Sequence, residues 1–137
     1  MSIRPRLIFD VDETHRLMTV KYYGDLDSKT IATSLAEHFK TLDQPWRYDA
    51  LFDMRRFEGV VVLEDLAQMA RAWNQGTKGK DAGRLTAIVS NDPLIFTRQK
   101  AYEAGQPLRI VKIFDDINQA SNWLTTMRKV TDPKLAS

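Results

Sequence analysis

Apolar and polar residues alternate near the start of the chain in two short runs. In residues 6–12, Leu7, Phe9 and Val11 alternate with polar residues, and residues 16–24 repeat this period of two. Such alternation predicts half-buried strands, and the short polar link between the two runs (ETH) predicts that they form a hairpin.

The spacing of apolar residues then changes from two to three or four. Residues 31–42 carry Ile, Leu and Phe side chains at this helical spacing, and Asp27 or Ser28 stands where a capping residue is needed. This segment is therefore predicted to be an amphipathic helix that ends before Pro45.

Strand and helix patterns alternate three times in the remainder of the chain. Strands are predicted at 48–54, 84–90 and 108–114, and each is followed by a helical pattern. The middle strand has a nearly unbroken apolar run, which is typical of a central strand covered on both faces. The order ββαβαβαβα predicts an α/β fold, in which a mixed sheet starts with an antiparallel hairpin and continues with βα units whose helices pack on it.

The helix after the fourth strand has an unusual beginning. It is predicted to start at Asp92 and to end at Gly105, and it opens with Leu94, Ile95 and Phe96 in succession. Three consecutive side chains span about 200° around a helix, so they cannot all face one sheet. At least one of them is expected to be exposed or covered by something else.

Length and composition narrow the classes of protein. A chain of 137 residues fits a single domain, residues 1–137, with a frayed tail at about 131–137. The net charge of +2 is too small to indicate nucleic-acid binding, and the absence of cysteine fits a reducing cytoplasm. No signal peptide or transmembrane segment is apparent in the sequence.

Candidate catalytic groups are sparse. The two histidines, His15 and His38, have no partner at metal-ligand spacing, and no serine lies in a G-x-S-x-G motif. The segment GTKGKDAG (76–83) lacks the spacing of a phosphate-binding loop and is interpreted as a flexible connection, with Gly76 as the end of a helix. We therefore predict no catalytic residue, no metal and no cofactor.

Three segments in this order of elements resemble the SpoIIAA-like family, which shares the STAS fold of anti-sigma-factor antagonists and sulphate-transporter tails. They are the strand YDALFDM, the helix LEDLAQMARAW and the ending VKIFDDINQASNWL, and the resemblance covers nearly the whole chain. The ending is the most specific part, with two aspartates and then A-x-x-W-L at 120–124. The resemblance implies a STAS-like module that binds a protein partner.

One part of the family pattern is missing. In the anti-sigma-factor antagonists, the loop after the third strand carries a phosphorylatable serine, and its modification abolishes partner binding. From Asp49 through Gln75 this chain has no Ser, Thr, Tyr or His. No phosphoacceptor is therefore predicted there, and the serine switch is not expected.

The carboxyl ends of the third and fourth strands supply the candidate site, because ligands of open α/β sheets collect at that edge. The predicted loop after the third strand brings charge and an aromatic ring, and the next helix brings the successive apolar residues. The candidate partner-binding or ligand-binding residues are Arg55, Arg56, Phe57, Leu94, Ile95 and Phe96.

Two classes of function follow from this site. The first is a non-enzymatic, cytoplasmic, regulatory module that binds a protein partner or a second copy of itself. The alternative is a carrier or sensor of a small amphipathic or anionic ligand or a lipid, with peripheral membrane contact; an enzyme ranks third. An apolar cavity would favour the carrier, and a flat apolar patch would favour the protein contact.

Overall fold

The structure, a computed structural model, describes residues 3–131. Within that range the chain forms five β-strands and five α-helices. The strands are β1 (Arg6–Asp12), β2 (Leu17–Gly24), β3 (Asp49–Phe57), β4 (Leu85–Val89) and β5 (Ile110–Phe114). The helices are α1 (Ser28–Lys40), α2 (Leu63–Thr77), α3 (Pro93–Thr97), α4 (Gln99–Gly105) and α5 (Ile117–Thr131), and a 3-10 turn at Pro45–Arg47 precedes β3.

The strands form one mixed sheet in the order β1-β2-β3-β4-β5. The hairpin strands β1 and β2 pair antiparallel, and every later pairing is parallel. Each parallel connection passes through a helix, as parallel strands require. The predicted α/β class, with an antiparallel hairpin at the edge of a mixed sheet, is confirmed.

The two faces of the sheet have separate cores. On one face, α1, α2 and α4 pack over the sheet through residues such as Ile31, Met69 and Tyr102. On the other face, α5 packs over β4 and β5 through Ala120 and Leu124. All residues of β4 are buried, because this strand lies between both layers, as its apolar run predicted.

Strand β3 is longer than the predicted 48–54. It continues through Phe57, because β2 extends far enough to pair with it: Tyr23 lies opposite Arg56, and Gly24 lies opposite Phe57. An irregularity in this pairing follows Lys21, which lies opposite Asp53. The arginines and Phe57 therefore belong to the end of a strand, and the prediction that they form a loop was wrong.

The helix predicted between Asp92 and Gly105 is two helices, α3 and α4. The hydroxyl of Thr97 donates to the carbonyl of Leu94 at 2.7 Å, and the amide of Arg98 bonds to Ile95 and Phe96 instead. A threonine that bonds back to the preceding turn disturbs a helix in this way. The start was predicted correctly, since the Asp92 side chain accepts a hydrogen bond from the amide of Leu94.

Helix α2 was predicted to end at Gly76, and this prediction was wrong. The helix continues to Thr77, and Lys78 adopts the left-handed conformation that closes it, with the Lys78 amide bonded to the Asn74 carbonyl.

Most of the tail that was predicted to fray, residues 131–137, lies outside the described residues. Over residues 3–131, no helix has both the length and the apolar content needed to cross a bilayer.

Candidate functional site

Arg55 is already paired within its own strand. Its Nε and Nη2 atoms donate to the two carboxylate oxygens of Asp53 at 2.9 and 2.8 Å. Burial of Asp53 raises the pKa of its carboxyl, but the hydrogen bonds from Arg55 outweigh burial, and the net effect lowers that pKa. The planar edge of the Arg55 guanidinium is therefore occupied by Asp53.

The other predicted residues fall into two groups. Phe57 is half-buried, with its ring centre 5.7 Å from that of Tyr22 in an edge-to-face contact, and Ile95 is only 5% exposed, so both belong to the core. Leu94 and Phe96 are 44% and 39% exposed, and Arg56 is exposed as well. The expectation that the three successive apolar residues of α3 cannot all be buried is confirmed.

The loops at the carboxyl ends of β2 to β5 carry negative charge. Residues 25–27, 58–62, 90–92 and 115–116 contain no lysine or arginine. Their acidic residues are Asp25, Asp27, Glu58, Asp92, Asp115 and Asp116. This edge is therefore less suited to an anion than the sequence alone suggested, although exposed apolar residues, among them Val60, Val62 and Leu63, also lie there.

A cavity lies on the face of the sheet that α1, α2 and α4 cover. Its volume is about 130 Å³. Small residues leave this space open where larger ones would fill it, notably Ala50, Ala101 and Gly105. The larger apolar residues in the wall are Met18, Ile31, Leu35, Phe39, Phe52, Met54, Val61, Leu66, Met69, Trp73 and Ile88.

The cavity wall also contains polar groups, most of which are neutral. The phenols of Tyr22 and Tyr102 have raised pKa values, chiefly because they are buried. Thr86 donates to the Gln106 side chain at 2.8 Å. Among the described residues that line the cavity, Arg109 is the charged one.

Arg109 lies just before β5 and is 8% exposed. Its Nε donates to the Thr86 hydroxyl at 2.8 Å, and its Nη2 donates to the carbonyls of Tyr48 and Leu85, both at 2.9 Å. Burial lowers the pKa of Arg109 to about 10, so the group stays charged at neutral pH. Its Nη1 has no hydrogen-bond partner within residues 3–131.

Arg109 belongs to a buried charge cluster at the amino ends of β3, β4 and β5. Asp49 Oδ2 lies 3.1 Å from Arg128 Nη1, and Asp49 Oδ1 lies 3.9 Å from Arg84 Nε. Asp81 Oδ2 lies 3.9 Å from Arg109 Nη1 and accepts a hydrogen bond from the Trp73 indole at 2.7 Å. This cluster lies at the edge of the sheet opposite the predicted site.

The sequence did contain a signal for Arg109. In the predicted strand LRIVKIF, period-two alternation places Arg109 on the same side as Val111 and Ile113. Both of those residues are in the core beneath α1, α2 and α4. A charged residue on the apolar side of a strand is uncommon and indicates either a paired charge or a binding group.

Comparisons with known proteins identify the architecture. No family model and no curated protein matches the chain. Among solved structures, it is similar to an uncharacterised protein of the DUF3478 family with a SpoIIAA-like fold, from Shewanella loihica PV-4. The two share 19% sequence identity with a TM-score of 0.56, over 90% of this chain and 94% of the other. The chain therefore has a SpoIIAA-like fold, as the resemblance implied.

Proposed function

We propose that this chain binds a small amphipathic ligand in the cavity between the sheet and helices α1, α2 and α4, as a carrier or sensor without catalytic activity. The observation that supports this proposal is an apolar cavity of about 130 Å³ into whose wall a buried, charged and incompletely bonded arginine is built. Pockets that bind small molecules have this composition, with mostly apolar walls and a few polar groups that orient the ligand.

The absence of catalysis is part of the proposal, and the chemistry of the wall supports it. The described residues that line the cavity include no Ser, Cys, His, Lys, Asp or Glu. Such a wall offers neither a nucleophile with a base nor a general acid that titrates near neutral pH. A ligand in this cavity would be held and released unchanged.

A binding switch by phosphorylation at the start of α2 has little support. Val62 and Leu63 occupy that position. The hydroxyl nearby belongs to Ser28, which is buried, donates to Asp65 at 2.5 Å and accepts from the amide of Val62 at 3.2 Å. Occupancy of the cavity is therefore the proposed signal in place of a phosphate.

A second candidate function is the contact with a protein partner or a second copy of the chain. It is favoured by the exposed apolar side chains at the carboxyl ends of the strands, Val60, Val62, Leu63, Leu94 and Phe96. Exposed apolar residues grouped at one edge are a common feature of interaction surfaces. We rank it second because Arg55, Phe57 and Ile95 are already engaged inside the molecule.

A matched pair of variants in α4 tests the cavity. Ala101 lines it, whereas Ala104 in the same helix is exposed and does not. Ala101→Leu should fill part of the space and weaken binding of benzyl alcohol at least about tenfold, because a wall that cannot move excludes the ligand. Ala104→Leu should bind as the parent does.

Binding is measured by amide and indole NMR shifts during titration with benzyl alcohol. We expect the shifts to concentrate on the cavity wall, including the indole of Trp73. Equal binding by the two variants, or shifts confined to Val60, Val62, Leu63 and α3, would contradict the proposal and favour the surface contact.

A further inference from the structure

Two tyrosines face each other across the cavity, one from the sheet and one from the helix layer. Tyr22 belongs to β2, Tyr102 belongs to α4, and both line the cavity. The two phenols are close enough for negative charge on Tyr102 to raise the pKa of Tyr22. Edge-to-face contacts with Phe52 and Phe57, at ring-centre distances of 6.4 and 5.7 Å, hold the Tyr22 ring in place.

Neither phenol hydroxyl has a hydrogen-bond partner within residues 3–131. Both residues are buried as a whole, with Tyr22 6% and Tyr102 7% exposed. The polar side-chain atoms in this range that are both fully enclosed and unbonded belong to four other residues, His38, Thr77, Arg109 and Arg128. Each phenol oxygen therefore keeps accessible surface, and the space that both side chains line is the cavity.

Other polar groups of the wall are already engaged. Thr86 donates to the side-chain oxygen of Gln106 at 2.8 Å, and the Trp73 indole donates out of the cavity to Asp81 at 2.7 Å. Arg109 donates from Nε and Nη2 to Thr86 and to two backbone carbonyls, and its Nη1 is fully enclosed. A ligand in the cavity therefore finds accessible hydroxyls on the two tyrosines, whereas the arginine offers it no free donor.

The chemistry of a phenol selects the polar group of that ligand. Burial raises the pKa of both tyrosines, so each is protonated at neutral pH and brings one O–H donor together with acceptor lone pairs. A carbonyl oxygen can accept from both phenols, and a hydroxyl can accept from one and donate to the other. An ion would lose its water without reaching an opposite charge, which is costly, since the described wall has no Lys, Asp or Glu.

The size of the cavity limits the apolar part of the ligand. An engineered protein cavity of about 150 Å³ is known to accept benzene. The cavity here has a volume of about 130 Å³. It therefore suits a body of about five or six carbons and excludes a long acyl chain.

We propose that the cavity receives a small neutral compound with one carbonyl or hydroxyl group, whose oxygen bonds to the hydroxyls of Tyr22 and Tyr102 and whose apolar body fills the remaining space. This inference rests on the proposed function and specifies the ligand class of the same site. The two phenols supply the selectivity for a neutral oxygen group, and the apolar wall supplies the selectivity for size.

The test removes one hydroxyl at a time and compares probes with and without an oxygen. Wild type, Tyr22→Phe and Tyr102→Phe are titrated with phenol, with cyclopentanone and with toluene, which has a methyl group where phenol has its hydroxyl. Each variant should weaken phenol and cyclopentanone about fivefold, because one hydrogen bond is lost, and should leave toluene binding unchanged. Calorimetry and the NMR signals of the cavity wall measure binding, and the two oxygen compounds distinguish a hydroxyl ligand from a carbonyl ligand.

Tyr48→Phe is the matched control. Tyr48 is 3% exposed and does not line the cavity, so the loss of its hydroxyl should leave the binding of all three probes unchanged. Because the hydroxyls of Tyr22 and Tyr102 have no partner within residues 3–131, neither test variant costs the fold a hydrogen bond there, and urea unfolding verifies that both remain folded.

A second pair of probes tests neutrality on the wild-type protein. Pentanamide and pentanoate have the same length and differ in charge at neutral pH. Pentanamide should bind at least about tenfold more tightly, because the carboxylate is dehydrated without a countercharge to contact. Equal binding, or tighter binding of pentanoate, would overturn the selection of a neutral ligand.

Failure of this inference is distinct from failure of the proposed function. If either test variant binds phenol and cyclopentanone as the parent does, while Ala101→Leu still blocks both compounds, the cavity is a binding site but recognition by the two phenols is wrong. Equal weakening of toluene and phenol would also overturn it, since the effect would then not depend on the oxygen. If no probe, toluene included, shifts the signals of the cavity wall, the proposed function fails as well.

Discussion

Arg55 and Asp53 show how a charged residue at the end of a strand can serve the fold instead of a ligand. Two hydrogen bonds join the guanidinium to the carboxylate, and the Asp53 side chain is 8% exposed. The sequence predicted Asp53 at the end of a strand and Arg55 in the loop after it, and it did not reveal that the two bond to each other. Arg56, one position later, is exposed and provides the natural comparison.

We predict different effects of removing the two arginines. Arg55→Ala should lower the free energy of unfolding by about 1 kcal/mol, a modest figure because the Arg55 side chain is 42% exposed and partly screened. Arg56→Ala should change it by about 0.5 kcal/mol or less, as is usual for exposed positions. Urea unfolding of both variants at neutral pH measures this difference; equal losses would contradict the assignment.

The pH dependence of that difference has a definite sign. Because the folded protein lowers the pKa of Asp53 below its usual 3.8, the ionised carboxylate stabilises the fold above about pH 3.8. This contribution is lost as the pH falls through the lower pKa of the folded state. The gap between wild type and Arg55→Ala should therefore close on acidification, whereas a gap that persists in strong acid would mean that the pair is not responsible.

Among the elements, those with strong periodicity were predicted best. The hairpin, α1 and β4 follow from their spacing of apolar residues, because burial on one face or on both imposes that spacing. The end of β3 and the break between α3 and α4 were missed. They depend on the length of β2 beside β3 and on the bond from Thr97 to the Leu94 carbonyl, and neither changes the periodicity of the segment concerned.

Two glycines near the end of α2 provide a test at this scale. Gly76 lies inside the helix, and Gly83 lies in the following loop at a φ of 79°; a Cβ at either position would have no atom within 4 Å. Gly76→Ala should stabilise the protein by about 0.5 to 1 kcal/mol, because alanine has less backbone entropy to lose in a helix. Gly83→Ala should destabilise it by about 1 kcal/mol, because alanine is strained at positive φ.

Thermal and urea unfolding of these two variants give the comparison directly. Since both sites are open, crowding contributes to neither result, and only the backbone conformation differs. Destabilisation by Gly76→Ala would show that α2 ends at Gly76, as the sequence predicted, and stabilisation by Gly83→Ala would show that Gly83 does not adopt a positive φ.

At the scale of the whole molecule, the two edges of the sheet have opposite character. The loops at the carboxyl ends are acidic and lie beside exposed apolar residues, whereas the amino ends of β3 to β5 hold the ion pairs of Arg109 with Asp81 and of Arg128 with Asp49. The candidate site was predicted at the carboxyl ends, because ligands of open α/β sheets usually bind there. The charged residue in the wall of the proposed cavity, Arg109, lies at the other edge.

The cavity could not be predicted from sequence patterns, because it exists only where small residues from different elements meet. Ala50 lies in β3, whereas Ala101 and Gly105 lie in α4, and only the packing of α4 against the sheet brings them to one space. The buried face of β5 was predictable from alternation, and so was the side on which Arg109 lies, just before that strand. The partners of Arg109 were not, since they lie in distant parts of the chain.

A crystal structure of the protein grown with benzyl alcohol tests the central claim most directly. The account predicts electron density for the aromatic ring in the cavity beneath α1, α2 and α4, beside Ala101. A cavity without ligand density at saturating benzyl alcohol, or benzyl alcohol bound only at the surface around Val60 and Phe96, would contradict it.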